Sequence, residues 1–280
     1  MSTPVLSSRK PRARIAGAWW STTGLVIFAI AVLAAIFAPL LTPFDPLRGG
    51  SIPISAPDLE HPMGTDDLGR DVLSQVLFGL RASLFVGVAS SLIALVIGAI
   101  VGALAGYNGG WVDTILMRVT ELFQVVPRIF LLIIIAALFG QDQIIVALAI
   151  GLTSWPQAAR LLRAEFLTRR ESEYVMAARV IGASRTHLVV REILPNAVSP
   201  IVITTVLNVA TAVLLEASLA FLGLSDPNVP SLGRMLQSSF GFIEIAPWMS
   251  FFPGVVVGLI ALSMNMIGDG ITNRMQRRTA

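Results

Sequence analysis

Six long apolar stretches separated by short polar segments set the pattern of this chain. They cover residues 22–41, 83–107, 113–139, 144–162, 198–222 and 248–271. An apolar run of about 18 residues or more predicts a helix long enough to cross a bilayer. The pattern therefore predicts an all-α polytopic membrane protein with six transmembrane helices, occupying 21–272 as one domain. Polar tails of 1–20 and 273–280 flank it. The sizeable polar segments inside it are 43–78, 163–197 and 223–247.

Some local signals refine these elements. The first run is longer than the ~7–15 apolar residues of a cleaved leader and ends in Pro39 and Pro43, which predicts an uncleaved helix. Segment 43–78 opens irregularly, with Pro43, Pro46, Pro53, Pro57 and Pro62, and Gly69 to Phe78 predicts a short surface helix. Gly98, Gly102 and Gly106 recur every four residues in the second span, and Gly87 precedes them. Small residues at that spacing let helix backbones approach closely in lipid. Asn108-Gly109-Gly110 predicts a turn. Asp269, between Gly268 and Gly270, predicts a break in the sixth helix.

Charge orients the spans. Arg9, Lys10, Arg12 and Arg14 precede the first, seven arginines against four acids lie between Arg160 and Pro195, and Arg274, Arg277 and Arg278 follow the last. Six spans place these three basic clusters on one side, whereas 43–78 is acidic. Basic flanks favour the cytoplasm, so both termini and 163–197 are expected inside, and 43–78 and 223–247 outside.

Composition supports lipid as the solvent and removes several chemistries. Hydrophobic residues make up 55% of the chain and charged residues 13%, with a mean hydropathy of +0.77. Soluble chains carry ~25% charge. The net charge of +3 sits beside the apolar runs, which argues against a nucleic-acid partner. Without cysteine there is no disulfide or thiolate chemistry. Lys10 is the only lysine, so no GxxxxGK[ST] phosphate loop exists and any ATPase must be another chain. His61 and His187 are the only histidines and neither lies in HExxH. His61 with Asp66 and Asp67 fits no standard metal spacing. No catalytic set and no metal site are expected.

The segment Glu173–Pro195, EYVMAARVIGASRTHLVVREILP, is the polar island that matters most. Tyr174, Ala177, Ala178 and Ile181 share one helical face, with Glu173, Met176 and Arg179 opposite. Gly182 suits a helix end and Ser184 a new N-cap, and Pro195 is expected to stop the second helix. Such a pair fits a groove in a partner protein or, equally on these grounds, a headgroup surface.

The spacing Ala-Ala-x₃-Gly-x₁₀-Ile-Leu-Pro resembles the EAA loop of ATP-binding-cassette importer permeases. Met176 stands where that motif has its acid. Further stretches resemble the dipeptide, oligopeptide and nickel group, in its shorter, C-type permease: Gly64 to Val72 (GTDDLGRDV), Ser154-Trp155-Pro156, Glu216 to Gly223 and Asn265 to Gly270. The resemblance implies a type I importer permease fold with cytoplasmic coupling helices. It implies an ATPase-coupling site at Glu173, Tyr174, Ala177, Ala178, Arg179, Gly182, Ala183, Ser184, Leu194 and Pro195. It also implies a bacterial inner-membrane location and three kinds of partner: a second homologous permease, two ABC ATPase subunits that bind ATP and Mg²⁺, and an extracytoplasmic binding protein. No cofactor is expected in this chain. Peptides are the cargo implied first; nickel chelates, glutathione-like compounds and oligosaccharides are the alternatives.

Charges within spans are expected to face protein or water. Arg118, Glu121, Gln124 and Arg128 lie on the third run, where Gln124 and Arg128 are expected to share a face. They are expected to line the translocation path, Arg128 meeting a peptide carboxylate; the other reading pairs Arg128 with Glu121 or with the partner permease. Glu216, in the fifth run, has a pathway reading and a structural hydrogen-bonding one. An ion-coupled secondary transporter would use Glu121 and Glu216 as titrating groups and would not need the island.

Overall fold

The computed structural model describes residues 12–276, and every element among them is helical. Helix α1 (Arg12–Ile36) is followed by the single turn α2 (Ala38–Leu41). After the 42–71 loop, α3 runs unbroken from Val72 to Asn108. The surface helix expected over Gly69–Phe78 is therefore not separate. It is the first part of a 37-residue rod, ~55 Å long at 1.5 Å per residue. No proline lies between Phe78 and Ser83, and Gly79 there packs closely on Leu232 rather than ending the helix. The extra turns are buried, with Val72, Val76 and Leu80 packed on Leu232, Met235 and Met249.

Gly109 (φ +66°) and Gly110 (φ +53°) turn the chain into α4 (Gly110–Val125). The third run is not one straight helix. It bends by 82° between α4 and α5 (Arg128–Phe139). Val126 is extended (φ −83°, ψ 127°), as the residue before a proline prefers, and Pro127 then begins α5. Gln124 and Arg128 thus sit on two helices rather than on one face.

Helix α6 (Gln143–Arg169) accommodates Pro156 internally. Then come α7 (Glu173–Val180), the single turn α8 (Arg185–His187), a π-helical stretch over Leu188–Ile193 and α9 (Leu194–Phe221). The 223–247 segment is not plain loop, because α10 (Leu232–Ser239) folds within it. Helix α11 spans Trp248–Gln276 without a break at Asp269. Its flanking glycines serve close packing: a Cβ on Gly270 would lie 2.0 Å from Ser21 Cβ, and one on Gly268 2.9 Å from Leu207 Cδ2. Among the described residues five helices are long and apolar enough to cross a membrane, and the bent α4–α5 pair makes a sixth span if counted as one.

The α3–α6 pair is the spine. A Cβ on Gly98 would meet Ala158 Cβ at 2.6 Å, one on Gly102 the Ala159 carbonyl at 2.5 Å, and one on Gly106 Phe166 Cβ at 2.5 Å. The four-residue glycine spacing thus serves close helix approach, with α6 as the neighbour. Gly87 faces Val213 of α9 instead. Lipid offers no hydrophobic drive between helices, so this close van der Waals contact holds them together.

At the end where α3 begins, the 42–71 loop folds into a polar knot. Asp71 Oδ1 lies 2.9 Å from His61 Nδ1, while its Oδ2 accepts from the Ser74 amide at 2.7 Å and caps α3. Asp66 accepts from Arg70 Nε at 2.6 Å and from Gln75 Nε2 at 2.8 Å. Trp248 Nε1 donates to the Thr65 carbonyl at 3.1 Å, tying the knot to α11.

Candidate coupling knuckle and transmembrane polar cavity

The opposite, arginine-rich end carries the Glu173–Pro195 island. Helix α7 ends as its sequence predicts. Gly182 has φ +90°, its N–H bonds the Arg179 carbonyl at 3.1 Å, and the Ala183 N–H reaches back to Ala178 at 3.0 Å. These are the two bonds of a Schellman cap. Ser184 Oγ accepts from the His187 amide at 3.3 Å and starts α8.

Pro195 does not stop this helix. The Leu194 N–H bonds the Val189 carbonyl, five residues back, and α9 continues through Pro195 near its first turn. Proline lacks an N–H, and the wider π turn before it lets the chain pass without breaking.

Burial divides the expected coupling residues. Glu173, Tyr174, Ala177, Arg179, Gly182, Ser184 and Pro195 are exposed. Ala178, Ala183 and Leu194 instead pack inward, on a cluster formed by Leu162, Phe166, Val175, Leu188 and Ile193. Val175, fully buried, is the anchor of α7. Of the expected face, Tyr174, Ala177 and Ile181 are exposed and Ala178 alone turns inward. Val180 and Ile181 are each 86% exposed, beside Met176 at 47%. This is an apolar knuckle at the tip of a rigid turn. The signal for it lies in the sequence: two large aliphatics directly before the capping glycine cannot both turn inward.

Arginines fasten the knuckle's base. Arg163 makes a bidentate pair with Asp113, with Nη2 2.6 Å from Oδ2. Arg169 Nε donates to Glu165 at 3.0 Å, and Arg170 Nη1 to the Gly106 carbonyl at 3.1 Å. The Arg163 and Arg170 bonds tie the end of α6 to α4 and α3, while the Arg169–Glu165 bond lies within α6.

A polar cavity of about 280 Å³ lies at the α4–α5 break, lined by Gln124, Pro127, Arg128, Thr153, Gln157 and Arg160. It brings together two of the expected pathway residues, Gln124 and Arg128, and excludes the other two. Glu121 is exposed and pairs with Arg118 at 2.9 Å. Glu216, 5% exposed, accepts from Ser83 Oγ at 2.7 Å and Ser231 Oγ at 2.9 Å. It lies beside a separate cavity of about 20 Å³. Glu216 thus clasps α3, α9 and the approach to α10, the bonding that the structural reading of this residue calls for. Arg160 and Gln157 were not singled out from sequence, although Arg160, Gln157 and Thr153 follow a helical stripe.

A helical membrane body with a paired-helix knuckle and a polar break in one span defines a transporter membrane subunit. Its relatives specify which. The family described as "Binding-protein-dependent transport system inner membrane component" matches residues 94–280. The N-terminal transmembrane domain of oligopeptide transport permease C matches residues 20–60. The chain belongs to this family of ABC importer permeases, multi-pass proteins of the inner membrane that do not themselves hydrolyse ATP.

Among its relatives, the dipeptide transport system permease protein DppC of Alkalihalophilus pseudofirmus is 38% identical over 90% of this chain and 84% of that protein. A putative peptide permease of Brucella suis is 37% identical over 99% and 95%. The oligopeptide transport system permease protein OppC of Bacillus subtilis is 34% identical over 90% and 83%. In fold, the chain is similar to the membrane subunit of the inward-facing methionine transporter MetNI, with a TM-score of 0.55 at 19% identity over 70% of this chain and 96% of that one. It also resembles an amino acid ABC transporter, with a TM-score of 0.51 at 16% identity over 73% and 94%.

Proposed function

We propose that this chain forms half of a peptide pathway through the bacterial inner membrane. A second, homologous permease supplies the other half, an extracytoplasmic binding protein delivers di- or oligopeptides, and two ATPase subunits drive the cycle. ATP and Mg²⁺ belong to those ATPases, and this chain needs no cofactor. Both termini and the 163–197 island face the cytoplasm; the 43–78 knot and 223–247 face outward. The relatives named for dipeptides and oligopeptides support this cargo over nickel chelates, glutathione-like compounds and oligosaccharides.

The observation that carries the reading is the knuckle. Val180 and Ile181 stand exposed on a turn whose interior is fixed by Val175 and Leu188. A solvated surface has no use for two such side chains, whereas a groove in an ATPase does. An ion-coupled carrier would need no such element, and its titrating groups are occupied here: Glu121 by Arg118 and Glu216 by two serines. Helix α4 supports the second permease, because Thr120 is its only buried residue. Gln124 and Arg128 line the pathway at that face.

ATPase closure would press on the knuckle and rock the helices between outward and inward access. Gly182→Val tests this in the reconstituted importer. Open space surrounds Gly182, so the cost is backbone strain at positive φ, ~1–2 kcal/mol, confined to the turn. The expected result is ATP hydrolysis with little peptide import. Unchanged coupling would remove the docking role.

A further inference from the structure

We propose that the α4–α5 break is a carboxylate clamp. In it the guanidinium groups of Arg128 and Arg160, with the N-terminus of α5, hold the C-terminal carboxylate of a peptide in transit. The clamp rests on the pathway reading above and adds to it the chemical group that is recognised and a residue, Arg160, on the α6 side.

Three independent features of the cavity have one sign. Arg128 opens α5 and Arg160 lies across the cavity on α6. Neither makes an ion pair or side-chain hydrogen bond among the described residues, whereas their neighbours Arg163, Arg169 and Arg170 are all engaged. No aspartate or glutamate lines the cavity.

The third feature is the helix end itself. Pro127 is the N-cap of α5 and offers no side-chain cap, so the first amides and the positive end of the helix dipole are directed toward the break. A discontinuous membrane helix whose N-terminus meets an anionic group is a recurring solution in transporters.

Two like charges that line one cavity repel one another. A bound carboxylate relieves that repulsion and accepts the forked donors of arginine in its own plane. Gln124 and Gln157 flank the arginines with both donors and acceptors, which suits the adjoining peptide bond. The break at Val126-Pro127 thus creates the site as well as the bend: a straight third span would have spent those amides on its own carbonyls.

The test uses the complete importer in proteoliposomes, with saturating binding protein, and compares import of trialanine with that of trialanine amide. Arg128→Gln and Arg160→Gln are each expected to lower the acid-to-amide import ratio at least about tenfold, the scale of a lost charge-assisted contact. Arg160→Lys is expected to retain part of the ratio. A purely structural loss, or a pairing of these arginines with an acid of the second permease, lowers both peptides alike; that result, or an unmoved ratio, overturns the clamp. If the wild-type importer carries neither peptide, the pathway reading itself falls.

A second readout needs no variant. A tripeptide ending in benzoylphenylalanine, irradiated with the wild-type complex, is expected to label 124–128 or 157–160 as the free acid and not as the amide. Equal labelling by both, or labelling elsewhere, also overturns the clamp.

Discussion

Arg163 and Asp113 close a two-point ion pair between α6 and the first turn of α4, with Nη2 2.6 Å from Oδ2. The pair is partly buried, at 33% and 16% side-chain exposure, and ties α6 to the start of α4, just past the Gly109–Gly110 turn that leads out of α3. Removing one partner strands the other. Arg163→Ala or Asp113→Ala is expected to destabilise the subunit by about 1–3 kcal/mol. The swapped double variant, Arg163→Asp with Asp113→Arg, is expected to recover part of that. Thermal unfolding in detergent measures it, and full additivity of the two single losses would deny the coupling.

The α3–α6 spine sets a second expectation. A Cβ on Gly102 would meet the Ala159 carbonyl at 2.5 Å and Leu162 Cβ at 2.9 Å, and neither backbone can withdraw alone. Gly102→Val is expected to cost at least ~1–3 kcal/mol through overpacking and to lower Tm. Nothing lies within 4 Å of a Cβ on Gly258, so Gly258→Ala is expected to be neutral or slightly stabilising, by up to about 1 kcal/mol. Equal Tm values for the two would refute the close contact.

Val180 and Ile181 are expected to dominate the affinity for the ATPase. A fully buried aliphatic side chain contributes ~1.5–3 kcal/mol, so the double change Val180→Asp with Ile181→Asp should weaken capture of the ATPase at least about a hundredfold. The outward direction of both side chains leaves the Val175 anchor untouched. Titrating detergent-solubilised permease with purified ATPase reads the affinity directly.

Glu216 separates a structural carboxylate from a transport one. Glu216→Gln keeps an amide that can bond both Ser83 and Ser231, and import is expected to survive. Glu216→Leu leaves two buried hydroxyls without their acceptor, costing about 1–3 kcal/mol, and is expected to lower Tm. Abolished import in a stably folded Glu216→Gln subunit would return this residue to the pathway.

How much was legible in the chain follows from what each residue type can signal. Long apolar runs mark the spans because lipid demands them, and the Gly98, Gly102, Gly106 spacing foretold a close helix contact, though only the fold names α6 as the partner. Gly182 foretold its cap because few residues other than glycine take φ +90° at no cost. The 82° bend was signalled by Pro127 and obscured by the apolar residues on both sides, which read equally well as one span. Ala178 was assigned outward because alanine carries little directional information; Val175 decides which face is buried. Pro195 misled because a π turn absorbs what an α-helix cannot. Arg160 escaped notice because sequence shows four nearby arginines alike, and only coordinates show which of them lacks a partner.

The 37-residue α3 has a mechanical consequence. One end is clasped by the His61–Asp71 knot, and near the other the Gly106 carbonyl is held by Arg170. A tilt of about 5° about one end of a stiff rod ~55 Å long swings the other end by about 5 Å. On the coupling role proposed above, movement of the knuckle would pass to α3 through the cluster that Leu95, Ala99 and Ala103 pack against, and along the unbroken rod to the 42–71 knot.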